Sequence, residues 1–136
     1  MSSYFLDISA ALDSKLAEFA AANSVQVAYE NNEYTPTVGT LYLRPTLLPA
    51  DTLPIGIGFA SALDHIGIYQ VDVIAPIDNG KGVAVAMADL VATAYPRGDL
   101  TYNGVKVRIK SISRSTGTRD SAYYIVSVII NYQSIT

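Results

Sequence analysis

The segment from Gly67 to Gly98 constrains the fold of this chain most, because it sets a strand, a tight connection and a helix in direct succession. Apolar and polar residues alternate along 67–73, as in a β-strand, and apolar residues recur at helical spacing along 79–94. The connection carries Lys81 before a glycine rather than before Ser or Thr, so it lacks the spacing of a phosphate-binding loop. The segment therefore predicts an α+β unit whose function resides in its surfaces.

A second helical pattern occupies residues 3–22. Its apolar residues recur every three or four positions, which predicts one buried face made of Phe5, Ile8, Leu12, Leu16 and Phe19. The charged residues of this helix are expected on the opposite side, towards solvent: Asp7, Asp13, Lys15 and Glu18. In the helix of residues 79–94 the predicted stripe consists of Val83, Met87, Leu90, Val91 and Ala94, with Asp78 or Asn79 as its cap.

Strand patterns cover residues 25–29, 41–48, 67–73, 105–112 and 122–132. Pro45 cannot donate to a ladder, so its strand is expected at an edge or bent. The last strand is apolar on both faces and is expected in the middle of a sheet with cover on both sides. The fold class is α+β, with a mostly antiparallel sheet of about 4–5 strands flanked by two helices. The length predicts a single domain over residues 1–136.

The segment from Pro49 to Asp64 is predicted as a loop that is unusually long and apolar. Such a loop either folds under its own subunit or docks on another one. We take Ile55 and Phe59 as its candidate interface residues. A hairpin loop rich in Ser, Thr, Gly and Arg is predicted from Ser113 to Ser121.

The composition argues against catalysis. The chain has no Cys, which excludes thiol nucleophiles and thiolate metal sites. Its one histidine, His65, is expected at a loop-to-strand boundary with ordinary partners. No motif of a nucleophile or of paired carboxylates marks an active site, so we expect no enzymatic activity, metal or cofactor. No signal peptide or membrane-spanning segment is visible. The ten Tyr residues and a charged fraction of 15% fit either a surface covered by partners or a Tyr-rich sheet.

Charge is divided unevenly along the chain. Residues 1–93 hold three basic and ten acidic groups, a net −7, whereas residues 94–136 hold six basic and two acidic groups, a net +4. The basic groups are concentrated on one predicted strand face and the loop after it. They form either a solvated strand face or a basic rim that meets an acidic partner. The interface candidates in this region are Arg108, Lys110, Arg114 and Arg119.

Several short motifs occur in an order and spacing that resemble one family. They are Leu47-Leu48-Pro49-Ala50-Asp51-Thr52, then Gly67–Val73, Ala75-Pro76 with Gly80-Lys81-Gly82, Tyr95-Pro96-Arg97-Gly98, and a closing Tyr-x-x-x-Val-x-Ile pattern within 124–132. Together they resemble the tail terminator proteins of long-tailed bacteriophages, also called tail completion or minor tail proteins. The alternatives are another small head–tail connector or tail tube component, or a small non-catalytic binding module.

The resemblance implies a virion protein, made in the bacterial host cytoplasm, that forms a hexameric ring on the head-proximal end of the tail tube. Such a ring stops tube polymerisation and offers a surface for joining the head connector. The implied partners are further copies of the chain, the tail tube protein and the head–tail connector, with duplex DNA only passing through and no membrane. Because the chain is acidic overall, we expect an acidic or neutral lumen, with Glu30, Glu33 and Asp99 as candidates.

Overall fold

The computed structural model describes residues 4–29, 41–54, 63–76, 80–95, 98–102, 104–115, 117–120 and 123–135. Two helices lie in these ranges, α1 (Tyr4–Asn23) and α2 (Gly80–Ala94). The strands are β1 (Gln26–Val27), β2 (Tyr42–Pro54), β3 (Leu63–Pro76), β4 (Gly98–Tyr102), β5 (Val105–Arg114), β6 (Thr118–Asp120) and β7 (Tyr123–Ile135). The predicted α+β class is confirmed.

All seven strands of the described residues join one sheet, in the order β1-β2-β3-β7-β5-β4, with β6 also paired to β7. The β1–β2 pair is parallel and the other pairs are antiparallel. The expected number of 4–5 strands was too low, because β4 and β6 were missed. In β4 only Leu100 is half-buried, so the strand shows no alternation. In β6 three residues pair with β7 inside the segment that was predicted as a loop.

Both helices lie on the same face of the sheet. The core under α1 contains Leu12 and Leu16, and the core under α2 contains Ala84 and Val91. The sheet contributes the residues of one face to this core: Leu43, Tyr69, Val71, Val73, Val107, Ile109, Val126, Val128, Ile130 and Tyr132. The opposite face is formed by alternate residues and no helix of the described chain covers it.

Helix α1 matches its predicted span, and Ile8, Leu12, Leu16 and Phe19 of its predicted face are buried. It ends at Asn23, whose side-chain amide donates to the Phe19 carbonyl at 2.9 Å, and Ser24 then leaves the helix with a φ of 54°. The expectation that Asp7 and Asp13 face solvent is wrong. Asp7 is buried and Asp13 half-buried, and Asp13 accepts a hydrogen bond from the Tyr69 side chain of the sheet.

Helix α2 also matches its predicted span, but it is turned about its axis. Its fully buried residues are Ala84, Ala88 and Val91, whereas Val83 and Leu90 of the predicted stripe are exposed. The physical reason is the size of the contact residues. Two alanines let the helix approach the sheet closely, and the larger Val83 and Leu90 stay outside this contact. The cap candidates Asp78 and Asn79 lie outside the described residues.

The β2–β3 hairpin is longer than predicted. Leu53 pairs with Asp64 and Pro54 with Leu63, so both ends of the predicted loop belong to strands. The prolines of this segment were taken as signs of a loop. The structure accommodates them in a strand because β1 pairs with β2 only at Tyr42 and Leu43. The rest of β2 has no partner on that side among the described strands, so a residue without a backbone N–H donor is tolerated there. This agrees with the expected edge position of Pro45. A register shift lies further along β2, between Pro49 and Thr52, and not at Pro45.

Strand β7 pairs with β3 on one side and with β5 on the other, which confirms its predicted central position. Its residues Val126, Val128 and Ile130 are buried under the helices, while Ile125 and Ile129 on the other face are half-buried. The expected cover on both sides is thus found on one side only within the described residues. We call the side without a described helix, with Ile129 near its middle, the open sheet face; Tyr42 and Ile74 at one end of it are buried.

Candidate assembly surfaces

The basic strand predicted from the sequence is β5. Its first six residues alternate between buried and exposed side chains. The buried ones are Val105, Val107 and Ile109, and the exposed ones are Lys106, Arg108 and Lys110. The alternation follows from the two-residue period of a strand and places these cations on the open sheet face. A register shift between Ile109 and Ser111 displaces Lys110 from the regular ladder.

Two of the four predicted interface cations have partners within the subunit. The Arg108 Nε donates to Asp99 Oδ1 of β4 at 3.2 Å, and the Arg114 guanidinium pairs with Asp89 of α2. All four side chains are at least one-third exposed, so each pair contributes only about 0.2–1 kcal/mol in water. Lys110 has no ion-pair partner among the described residues. Arg119 lies in β6, where it pairs with Tyr124 near the start of β7.

An open depression of about 80 Å³ lies beside this strand, lined by Asp99, Lys106, Arg108 and Gln133. Gln133 donates from Nε2 to Asp64 Oδ2 at 3.0 Å, which fixes its amide on the open sheet face. The depression is small and open, and it is suited to contact with side chains of a partner rather than to enclosing a ligand.

A polar cluster lies at the other end of the open sheet face, around Asp72. Its carboxylate accepts from Arg44 Nη2 at 2.9 Å, Gln70 Nε2 at 2.9 Å and Ser127 Oγ at 2.6 Å. Arg44 and Ser127 are the cross-strand partners of Asp72 on β2 and β7. The cluster ties three strands together, and its saturated carboxylate is a structural anchor rather than a free base.

A second polar cluster joins the two layers. Tyr69 of β3 donates its hydroxyl to Asp13 of α1, and Tyr95 after α2 donates to the Leu12 carbonyl at 2.7 Å. The two rings lie 6.1 Å apart. Burial raises the pKa of the Asp13 carboxyl above its ordinary value, against the lowering effect of the hydrogen bonds from Tyr69 and Ser9. Burial also raises the pKa of the Tyr69 and Tyr95 hydroxyls, so both stay protonated.

The apolar surface that sequence reasoning missed is on α2. Val83 is 42% exposed and Leu90 48% exposed, and Met87 and Ala94, half-buried, complete a row at helical spacing. We call these four residues the α2 stripe. A signal was present in the sequence, since Ala84, Ala88, Val91 and Tyr95 form a parallel row of the kind that packs closely on a sheet.

The remaining predicted site residues have different outcomes. Ile55, Phe59, Glu30 and Glu33 lie outside the described residues. Asp99 lies on β4 at the edge of the sheet, paired with Arg108. His65 is not at a loop-to-strand boundary but within β3, where it is buried opposite Ser134. In the parts of the chain that the structure describes, no group of three potential ligands could hold a metal ion, and no helix has the length and apolarity to cross a membrane.

These features define a class of protein. The chain is a small α+β subunit with one helix-covered sheet face, and its accessible features are an open sheet face, a basic strand and an apolar helix surface. The chain belongs to the phage tail terminator protein family, whose model matches residues 7–132. It is therefore a structural protein of the phage tail, and the resemblance drawn from the sequence motifs is confirmed.

Solved structures share the fold. One is 27% identical, with a TM-score of 0.78 over 93% of this chain and 92% of the other. Another is a chain in the virion of a native gene transfer agent particle, 18% identical, with a TM-score of 0.64 over all of both chains. No curated protein matches the chain.

Proposed function

We propose that this protein is a ring-forming tail terminator, which caps the head-proximal end of the tail tube, stops tube polymerisation and provides the surface for joining the head connector. The observation that carries the proposal is the family match over residues 7–132. A fold neighbour that forms part of a gene transfer agent virion supports a place in such a particle. The partners are other copies in a hexamer, the tail tube protein and the head–tail connector.

The basic strand supports head-to-tail assembly. A closed ring requires one surface of each subunit to meet a different surface of its neighbour. The exposed cations of β5 are one such surface, and acidic groups from the first 93 residues of a neighbour or from the tube are its complement. Arg108 and Arg114 reach this partner by exchanging their weak intrasubunit pairs, which costs little because these pairs are exposed.

A lumen for DNA must let the duplex slide. Six copies at −3 each carry −18, a charge that does not grip phosphates through counterion release. Glu30, Glu33 and Asp99 are the candidates for the lumen wall. Asp99 is paired with Arg108 in the single subunit, and it adds a negative charge to the wall once Arg108 contacts the neighbouring copy.

The test is a capping assay with purified tail tube protein. Tubes polymerised in the presence of the protein are expected to be shorter, with a ring at one end in electron micrographs. Reversal of Arg108, Lys110, Arg114 and Arg119 together to Glu should abolish capping, whereas any single reversal should change it less than tenfold, since one exposed pair is worth about 0.2–1 kcal/mol. Higher salt should weaken capping. Unchanged tube length at every protein concentration would overturn the proposed function.

DNA binding provides a second, independent check. The purified protein should show no sub-micromolar affinity for duplex DNA at physiological salt, because its net charge opposes phosphate contacts. Tight binding, or a nuclease or NTPase activity that persists through purification, would refute a passive passage for DNA.

A further inference from the structure

Two acidic side chains are more than half exposed where the structure describes side-chain exposure. Glu18 of α1 is 71% exposed and Asp89 of α2 is 57% exposed. Glu18 pairs with Lys15, three positions earlier on the same helix. Asp89 is the only charged residue between Gly82 and Ala94. A cationic partner that reaches the outer surface of α2 therefore meets Asp89.

The surroundings of Asp89 on α2 are apolar. Val83, Val85 and Leu90 are exposed on the same helix. The present partner of Asp89 is Arg114 at the end of β5, an exposed side chain in a weak pair. When Arg114 leaves this pair for a neighbouring copy, the Asp89 carboxylate needs another cation, because it then lies unpaired beside apolar side chains. This surface is thus suited to a partner that brings both a cation and apolar area.

The open sheet face carries the complementary charges. Lys106 and Lys110 have no ion-pair partner among the described residues. Lys110 lines a wide, open depression together with Arg108 and Gln133, so the register shift of β5 leaves it on the same side of the sheet as Arg108. An acidic side chain of a partner that enters this depression meets two cations.

Apolar side chains lie near these cations on the open sheet face. Ser111, next to Lys110, lies opposite Asn131 of β7, and Asn131 lies opposite Ile68 of β3. At about 4.8 Å per strand, Ile68 is about 10 Å from β5. Leu48 of β2 is the next residue in this row and is 46% exposed. The open sheet face thus sets apolar side chains about 10 Å from its cations.

We propose that the outer surface of α2 of one copy docks on the open sheet face of the next copy, with Asp89 beside Lys110 and the α2 stripe against Ile68. Along the axis of α2, Asp89 is about 9 Å from the first residue of the stripe. This spacing matches the spacing on the sheet. The inference rests on the proposed ring and specifies the acidic group that meets the basic strand.

The two surfaces belong to opposite sides of the subunit. Helix α2 packs on one face of the sheet, and the open sheet face is the other. The sheet itself lies between them, so the contact must join two copies. A contact between different surfaces is head-to-tail and closes into a ring when the rotation between copies permits it. Contacts between like surfaces would place Asp89 against Asp89, or cations against cations.

The test is rescue by charge exchange in the tube-capping assay. The double variant Arg108→Glu with Lys110→Glu should lower capping at least tenfold. Asp89→Lys alone should lower it severalfold, because the new lysine faces two cations of the next copy. The triple variant, which carries all three changes, restores opposite charges across the contact. We expect its capping to return to within about threefold of the unmodified protein.

The control for this rescue is Glu18→Lys, at the other exposed acid. On its own it should leave capping unchanged, and in the double variant it should restore nothing. Tm values of the free subunits check that every variant folds. A loss in the triple variant that equals or exceeds the sum of the separate losses would overturn the contact and would instead place the cations of β5 against the tail tube.

A cross-linking experiment tests the proximity directly and uses the absence of natural cysteines. One chain carries Lys110→Cys and a second, longer tagged chain carries Asp89→Cys; the two are mixed with tail tubes and treated with a short bis-maleimide. We expect a product that joins the two chains, and much less product when the second chain carries Glu18→Cys. Equal yields with Asp89→Cys and Glu18→Cys would overturn the proposal.

The apolar part of the contact is tested by substitution. The double variant Val83→Ser with Leu90→Ser should lower tube capping at least tenfold while the Tm of the free subunit changes by less than about 2 °C. Leu6→Ser, on a leucine that is 67% exposed on α1, is the control and should leave capping unchanged. A fall of many degrees in the α2 variant would contradict the proposal, because it would place the stripe in the core of its own subunit.

This contact and the terminator function fail in different ways. Normal capping by the Val83→Ser, Leu90→Ser variant would refute the contact and leave the terminator function intact. Failure of the unmodified protein to cap tubes would refute the terminator function, and the contact with it.

Discussion

The hydrogen bond between Tyr69 and Asp13 joins α1 to the sheet, and its removal has a calculable effect. Tyr69→Phe keeps the ring against Tyr95 and deletes the donor. Within the described residues, the carboxylate then keeps a hydrogen bond from Ser9 Oγ, at 3.4 Å. A hydrogen bond to a charged group contributes about 1.5–3 kcal/mol, so we expect a loss of about 2 kcal/mol at neutral pH.

The loss converts into a measurable shift in Tm. Unfolding entropy of about 2.1 cal/mol/K per residue gives about 0.29 kcal/mol/K for 136 residues. The Tm of Tyr69→Phe should therefore fall by about 7 °C. The chain has no Trp, so urea and thermal unfolding are best followed by far-UV circular dichroism. Tyr102→Phe, at an exposed tyrosine, is the matched control and should change stability by less than about 0.5 kcal/mol.

The pH dependence of stability tests whether the hydrogen bond to the Asp13 carboxylate causes the loss in Tyr69→Phe. The pKa of Asp13 is raised by burial above its ordinary 3.8, so its contribution to stability is fully present at low pH and declines as pH rises through the raised value. Tyr69 opposes this decline by stabilising the carboxylate. The penalty of Tyr69→Phe should accordingly be larger at pH 7 than at pH 3.5, and it should shrink in an Asp13→Asn background. An equal penalty at both pH values and in both backgrounds would refute the reasoning.

Three further changes probe the packing and the apolar segment. Gly67→Ala should destabilise by about 1–3 kcal/mol, because its Cβ would lie 2.6 Å from Tyr132 Oη and 2.8 Å from the Leu48 carbonyl oxygen; a neutral result in urea unfolding would contradict this. Raising pH above about 10 should lower the free energy of unfolding by up to about 2.7 kcal/mol per pH unit from Tyr69 and Tyr95 alone, because their hydroxyls ionise in the unfolded chain while burial keeps them protonated in the folded one. Tyr95→Phe should reduce this slope in a series of Tm measurements at increasing pH. Ile55→Ser with Phe59→Ser should impair capping with little change in Tm, whereas a large drop would show these residues to be core, because losing a buried Phe costs about 3–5 kcal/mol.

Local periodicity predicted the elements that bury a regular face. Helix α1, the β3–α2 unit and the central β7 each bury residues at constant spacing, and their positions follow from that spacing. The cations of β5 were predicted for the same reason, since they alternate with Val105, Val107 and Ile109. Such patterns fix which residues share a face.

The sequence-based predictions were wrong where contacts between distant parts of the chain determine the structure. Strand β4 is recognised only by its pairing with β5, and without it the Asp99–Arg108 ion pair could not be foreseen. In α2, hydrophobicity alone favours Val83 and Leu90, but close packing favours the alanines. Asp13 was assigned to solvent because its partner Tyr69 is far away in the sequence.

The described tyrosines lie mostly inside the subunit rather than on an assembly surface. Tyr42, Tyr69, Tyr95 and Tyr132 are buried, Tyr29, Tyr123 and Tyr124 are half-buried, and Tyr102 is exposed. This favours the Tyr-rich sheet over a Tyr-rich interface as the explanation of the composition. Among the described residues, three of the six large exposed apolar side chains lie on α2: Val83, Val85 and Leu90.

Stability and assembly therefore depend on different residues, and a paired experiment can separate them. Tyr69→Phe weakens a contact that is internal to the subunit, so at 20 °C its folded fraction should still cap tubes as the unmodified protein does. The Val83→Ser, Leu90→Ser variant should show the reverse, with an unchanged Tm and lost capping, because its substitutions lie on exposed side chains. Parallel loss of Tm and capping in both variants would mean that the subunit completes its fold only when the ring forms.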